Sequence, residues 1–190
     1  MAMKIEGIDY ATLSKYGVTL HLLTHDKIEL LRTWRNHPKI QKRMEYREEI
    51  TPEMQEKWFQ KISTSGKDFY YIIEYQGKEI GCINIRDVDF EKGEGEPGIF
   101  IWDDDYLGTD VPTRASFCMG DFVWDVLKLK REVIHVLKDN KQAILYNKQK
   151  GFKLSPNQEN VYNQEYTLTA EDAAKKSRRI KAFLSKESNL

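Results

Sequence analysis

The chain has 190 residues, a length that suits one domain with a hydrophobic core of its own. Apolar residues make up 40% of it and charged residues 32%, which is typical of globular proteins and argues against a disordered or membrane protein. Lysine and arginine number 30, as do aspartate and glutamate, so the formal net charge is zero. Because no overall field attracts polyanions, we expect no nucleic acid and no membrane as a partner.

The first ten residues include Lys4, Glu6 and Asp9, so they lack the charged-then-apolar pattern of a secretory leader. No apolar run in the chain approaches the roughly 20 residues that a membrane-spanning helix needs. Together these features predict a cytoplasmic protein.

Two cysteines, Cys82 and Cys118, lie among apolar neighbours, which predicts buried and reduced thiols; a catalytic cysteine is the alternative. The four histidines are scattered and form no cluster with metal-ligand spacing. We expect no metal.

A β-rich run at 18–23 precedes Asp26, which predicts a helix start with a capping box completed by Glu29. Pro38 predicts the end of that helix. Thr51 and Pro52 predict the start of a second helix.

The rest of the chain alternates between strand-like and helix-like periods. The predicted strands are 69–75, 79–86, 98–102, 132–137 and 162–168, and the predicted helices are 115–127 and 140–150. The element order is therefore one strand, two helices, three strands, helix, strand, helix, strand.

From Ala170 onward the chain is helix-forming and basic, with Ile180, Phe183 and Leu184 as its apolar residues to bury. We interpret 1–169 as the domain and 170–190 as a helical appendage. A solvated terminal helix, a homodimer contact and a lid over the substrate are the three roles that this segment leaves open.

An acidic turn at 103–105 leads through Gly108 into the helix that carries Ala115. A loop that enters a helix N-terminus presents unpaired N–H groups and the positive end of the helix dipole, which bind phosphate. Thr113 could cap this helix, and Arg114 could pair with a phosphate oxygen. An ordinary strand-to-helix turn is the alternative interpretation.

Four phrases, taken with the element order, resemble the GNAT superfamily of N-acetyltransferases: WRNHPKIQKRM with ITPEMQEKWFQKI, EPGIFIW, DDDYLGTD, and VLKDNKQAILYNKQKGFKL. The resemblance covers about Val18 to Leu168, and it is similar to the branch that acetylates nucleotide-linked sugars and ribosomal proteins. It implies an α/β fold with a mixed central sheet of six to seven strands flanked by helices. The implied acetyl donor is acetyl-CoA.

The resemblance also implies roles for individual residues. Tyr146 is the implied acid for the departing sulfur, and Glu96 the implied acceptor of the amine proton. Arg35 and Asn36 are the implied acceptor-binding residues. The implied cofactor-binding residues are Ile101, Trp102, Gly108, Thr109, Asp110, Val111, Pro112, Thr113, Arg114 and Asn140.

Three positions depart from the family pattern. Asp110 and Pro112 stand where the family loop usually has small residues, and Asn147 stands where it often has a tyrosine. The sequence predicts an N-acetyltransferase that acts on a small-molecule amine, with an amino sugar on a nucleotide favoured. Protein N-termini, small amines such as polyamines, and a catalytically silent acyl-CoA-binding protein of the same fold stay as alternatives.

Overall fold

The computed structural model describes residues 9–187; part of the segment on which the leader prediction rests, 1–8, lies outside them. One eight-stranded sheet runs through the described chain, in the order β1-β2-β3-β4-β5-β6-β8-β7. All neighbouring strands are antiparallel except β5 and β6. The strands are β1 Thr12–Lys15, β2 Val18–Leu22, β3 Phe69–Tyr75, β4 Lys78–Asp89, β5 Glu94–Ile101, β6 Arg131–Leu137, β7 Lys153–Leu154 and β8 Asn163–Thr169.

Helices cover both faces of this sheet. They are α1 Ile28–Asn36, α2 Pro38–Gln41, α3 Pro52–Ser65, α4 Val111–Asp121, α5 Lys141–Lys150 and α6 Ala170–Glu187. A π-helical turn, Phe122–Val126, continues α4. None of the described helices is long and apolar enough to cross a bilayer.

The mixed α/β fold confirms the predicted class, with more strands than the predicted six to seven. Both β1 and the two-residue β7 are edge strands that the sequence pattern did not reveal. Most other elements agree with the prediction, including α5, which begins after the N-cap Asn140 and ends at Gly151 with φ of 110°.

The predicted capping box at Asp26 is wrong. A 3-10 turn, His25–Lys27, precedes α1, and no side chain in the described part of the chain caps that helix. Glu29 instead pairs with Arg32 over 2.6 Å. The second predicted start is confirmed, because the Thr51 hydroxyl accepts a hydrogen bond from Met54 N over 3.2 Å.

Residues alternate between the two faces of the sheet. Cys82 and Trp102 pack with α1 and α3, whereas Ile83 and Ile101 pack with α4. A third cluster, around Ile134, joins β6, β8 and α5. We call the two sides the α1/α3 face and the α4/α5 face.

The C-terminal helix α6 packs against the domain. Ala173 and Leu184 are buried, and Lys181 Nζ donates to Asp121 of α4 over 2.5 Å. Of Ile180, Phe183 and Leu184, Leu184 alone is buried, since Ile180 is 49% exposed and Phe183 61% exposed. The division of the chain at residue 170 stays a prediction.

Candidate active site

A fork in the sheet is the feature around which the candidate site is built. β5 and β6 run parallel and pair only at Glu94 with Arg131 and at Gly95 with Glu132. Both strands continue beyond these pairs without joining. We call the opening between them the fork.

The backbone of β5 lines one wall of the fork. Trp102 N donates to Ile80 O of β4 over 2.9 Å. In an antiparallel ladder, successive N–H groups point alternately toward and away from the partner strand. The N–H groups of Ile99 and Ile101 therefore point away from β4, toward the fork. Pro97, the next residue in this alternation, has no N–H, so the strands separate there without leaving a donor unpaired.

At the base of the fork, on the α1/α3 face, Glu96 lies between two positively charged or protonatable groups. Arg86 Nη2 donates to Glu96 Oε1 over 2.6 Å. On the other side, His135 Nδ1 of β6 lies 3.5 Å from Glu96 Oε2. The three side chains thus connect β4, β5 and β6 across the point of separation.

Unpaired polar groups gather farther along the same face. Arg35 of α1 has a buried Nε with no hydrogen-bond partner. Within residues 9–187, no hydrogen-bond partner is found for the side chains of Tyr70 or Asn84, which are neighbours across β3 and β4. The charges of Arg35 and Arg86 both act on Tyr70, so both guanidinium groups lie near it. Buried polar groups usually have partners, so this set indicates a ligand site.

An open groove of about 240 Å³ adjoins Glu96 and is lined by carboxylates. Each of these carboxylates has a cation nearby. Glu94 pairs with Arg131, Asp87 with Arg86 and Asp89 with Lys92, at 2.6, 3.7 and 3.3 Å.

The loop before α4 is less open to an anion than the sequence suggests. Arg114 Nη2 pairs with Asp110 at 2.8 Å, and its Nη1 donates to Tyr16 O. The helix begins at Val111, so the prediction that Thr113 caps it is wrong: Thr113 lies inside the first turn. Gly108 has φ of 81° and open space around it.

Tyr146 reaches from α5 to the first turns of α4. Its hydroxyl donates to Pro112 O over 3.2 Å and lies 2.7 Å from the Ser116 hydroxyl. Asn147 instead donates to Ala143 O of its own helix. The one-residue offset therefore directs Tyr146, and not Asn147, toward the cleft between α4 and α5.

Ser116 also lines a cavity of about 30 Å³, which is large enough for a water molecule. Glu132 also lines this cavity, and burial raises the pKa of its carboxyl. Lys150 and Lys181 line the same cavity and partly offset this effect.

Both cysteines are buried and unpaired, as predicted. Burial raises the pKa of each thiol to about 12. A thiol in this state is a poor nucleophile at neutral pH, which argues against a catalytic cysteine.

The family described as "Acetyltransferase (GNAT) domain" matches residues 18–153. The chain belongs to the GNAT acetyltransferase family. The prediction of an N-acetyltransferase is therefore confirmed. A search of curated protein sequences gave no significant match.

Solved structures of similar fold include several acetyltransferases. The GNAT domain is 16% identical to FdhC, a nucleotide-linked sugar GNAT, with a TM-score of 0.76 over 93% of this chain and 99% of that one. It is 17% identical to spermidine N-acetyltransferase from Vibrio cholerae in complex with CoA and spermine, with a TM-score of 0.72 over 83% and 98%. A GCN5-related N-acetyltransferase from Brucella melitensis is 19% identical, with a TM-score of 0.72 over 95% and 88%. At these identities the likeness shows the fold.

Several of the residues predicted to act in this GNAT domain have structural partners. The Trp102 indole donates to Glu79 O, and the ring stacks on Trp34. The Asn36 side chain donates a hydrogen bond to Ile50 O and accepts one from Ile50 N. The Asn140 amide oxygen accepts a hydrogen bond from Ala143 N. Their roles toward cofactor or acceptor stay predictions.

Sequence reasoning missed His135, Tyr70 and Asn84. Each lies on a strand, and nothing in its sequence neighbourhood distinguishes it from a surface or core residue. The alternation along β3, β4 and β6 could have placed these residues on one face of the sheet, but it does not give the register between strands that sets their neighbours.

Proposed function

We propose that this GNAT domain transfers an acetyl group from acetyl-CoA, held in the fork, to an amine that enters from the α1/α3 face. The observation that carries the proposal is the separation of β5 from β6 after Gly95, which leaves the N–H groups of Ile99 and Ile101 without a strand partner among the described residues. The pantetheine arm of CoA carries amide groups that can replace the missing strand. The thioester carbonyl then accepts a hydrogen bond from Ile101 N–H, which stabilises the negative charge that develops on its oxygen.

The pyrophosphate lies at the start of α4 in this proposal. Gly108 leaves room for close approach, and Val111 and Thr113 contribute to the positive end of the helix dipole. Pro112 removes one donor. Arg114 must exchange Asp110 for a phosphate oxygen, so this end of the site contributes less affinity than a glycine-rich loop.

Tyr146 protonates the departing thiolate. Its hydroxyl already lies in the cleft between α4 and α5, beside Pro112 at the start of α4. Ser116 can resupply the proton because its hydroxyl is 2.7 Å away and faces the cavity that contains Glu132.

The acceptor is an amino sugar carried on a nucleotide. Arg35 supports this choice, since a guanidinium with an unpartnered, buried Nε matches a phosphate oxygen. Tyr70 and Asn84 supply hydrogen-bonding groups for sugar hydroxyls. A polyamine would require unpaired carboxylates, whereas the carboxylates of the adjoining groove already have cationic partners.

The test is a panel of acceptors offered with acetyl-CoA: a UDP-linked and a dTDP-linked amino sugar, spermidine, and a peptide with a free N-terminal alanine. Release of CoA thiol reports turnover, and calorimetry reports acetyl-CoA binding. We expect turnover with a nucleotide-linked sugar. Absence of acetyl-CoA binding contradicts the enzyme assignment, and turnover only with spermidine or the peptide contradicts the acceptor class.

Arg35→Ala tests the phosphate contact. Loss of a hydrogen bond to a charged group costs about 1.5–3 kcal/mol, so KM for the sugar nucleotide should rise about tenfold to hundredfold with a smaller change in kcat. Lys57→Ala is the matched control, because Lys57 is an exposed cation on the neighbouring helix α3. Equal KM values for the two variants would remove Arg35 from the acceptor site.

A further inference from the structure

His135 is the protonatable side chain that crosses the fork. It lies on β6, is 40% exposed, and directs Nδ1 toward Glu96 of β5 at 3.5 Å. Within residues 9–187 its other ring nitrogen, Nε2, has no partner. Distances of this kind in ligand-free enzymes commonly shorten when substrate binds.

Both oxygens of the Glu96 carboxylate have a charged or protonatable neighbour. Oε1 accepts from Arg86 at 2.6 Å, and Oε2 faces the His135 ring. Nε2 of His135, in contrast, has no partner among residues 9–187. We infer that His135 takes the proton from the acceptor amine and that Glu96 is a positioning residue that orients the imidazole. This inference rests on the proposed function.

The chemistry balances through this group. The amine nitrogen attacks the thioester carbon, a C–N bond forms, and the C–S bond breaks to release the CoA thiolate. His135 Nε2 accepts the proton that the nitrogen loses, and the thiolate gains one from Tyr146. The imidazolium then releases its proton to solvent, to which the side chain is open.

Charged groups lie on the strands to either side of His135. On β8 its cross-strand neighbour is Glu165, and on β5 it faces Glu96. Arg86 of β4 lies behind Glu96, and the Glu94–Arg131 pair lies nearer the base of the fork.

The experiment compares His135→Ala, His135→Gln, Glu96→Gln and the double variant His135→Ala/Glu96→Gln. Turnover is measured with the panel amine that the wild type acetylates, the UDP-linked amino sugar in our proposal. General-base catalysis is worth about 10²–10⁴ in rate, so His135→Ala should lower kcat at least a hundredfold and leave acetyl-CoA binding unchanged. Added imidazole should restore part of kcat, because the site is open to solvent.

Glu96→Gln should lower kcat less than His135→Ala does, and the double variant should be no slower than His135→Ala, because Glu96 acts through the imidazole. His21→Ala is the matched control. His21 also lies on a strand beside a glutamate, Glu74, at 3.1 Å, but on β2, away from the fork. It should keep wild-type kcat.

Three results overturn the inference. The first is that His135→Ala retains the wild-type kcat. The second is that Glu96→Gln abolishes turnover while His135→Ala retains most of it. The third is that His135→Ala loses kcat, imidazole restores none of it, and the effects of the two single substitutions add in the double variant. A wild type that binds acetyl-CoA but acetylates no amine of the panel contradicts the proposed function itself, and the role of His135 with it.

Discussion

Asp121, at the end of α4, connects three parts of the fold and offers a sharp test of how they are held together. Its carboxylate accepts hydrogen bonds from Lys15, from the Tyr16 hydroxyl at 2.8 Å and from Lys181 of α6 at 2.5 Å. Its side chain is 16% exposed. Burial raises its pKa, but these hydrogen bonds outweigh burial and lower the pKa overall.

Replacement of Asp121 by asparagine removes the charge and keeps the size. A hydrogen bond to a charged group is worth about 1.5–3 kcal/mol, and the Lys15 contribution is small because that side chain is 51% exposed. We expect a loss of about 3 kcal/mol. For a domain of this size, each kcal/mol lowers Tm by about 2–4 °C, so Tm should fall about 6–12 °C at pH 7.

Scanning calorimetry of the wild type and Asp121→Asn measures this difference. Asp172→Asn is the control, since Asp172 pairs with Lys153, which is 70% exposed, and should cost about 1 kcal/mol or less. Because the folded state lowers the pKa of Asp121, its contribution is present above the unfolded pKa near 4 and is lost as pH falls through the folded pKa. Equal Tm values for Asp121→Asn and wild type at pH 7 would refute the reasoning.

Two further predictions concern Glu132 and Tyr146, which both lie close to Ser116. Burial raises the pKa of Glu132, so the native state binds the carboxyl proton more tightly than the unfolded chain does. The free energy of unfolding therefore falls as pH rises from about 4.5 toward the folded pKa. Glu132→Gln should therefore raise Tm relative to wild type at pH 8 and not at pH 4, as thermal melts at both pH values will show. Tyr146→Phe should lower kcat at least tenfold while calorimetry gives an unchanged Kd for acetyl-CoA; unchanged kcat would remove Tyr146 from the mechanism.

Much of the fold could be predicted because its signals are local. The α5 helix is marked by Asn140 at its start and Gly151 at its end, and both act within a turn of their own position. The β3–β4 hairpin is likewise marked by Gln76 and Gly77, which both have positive φ. β1 and β7 were missed because their pairing depends on β2 and β8, which the residues of the short strands do not reveal.

The site could be predicted less well, since it depends on register between distant strands. The position of the fork follows from the pairing of Gly95 with Glu132, which no pattern in either strand encodes. The same pairing brings His135 close to Glu96. The family resemblance implied a role for Glu96 but none for His135. For Arg114 the sequence pattern predicted a phosphate contact, but in the structure its guanidinium pairs with Asp110, one helical turn earlier.

The way the sheet divides at Gly95 also determines what holds the two sides of the opening together. β1–β5 form one continuous ladder and β6–β8 another, and beside their two residue pairs Gly93 O accepts hydrogen bonds from Lys130 N and Arg131 N. Side chains join the two sides farther up: the Tyr146 hydroxyl donates to Pro112 O, Lys181 donates to Asp121, and Trp124 packs against the cores of both. The width of the opening is therefore set largely by the contacts of α5 and α6 with α4, and not by the strands themselves.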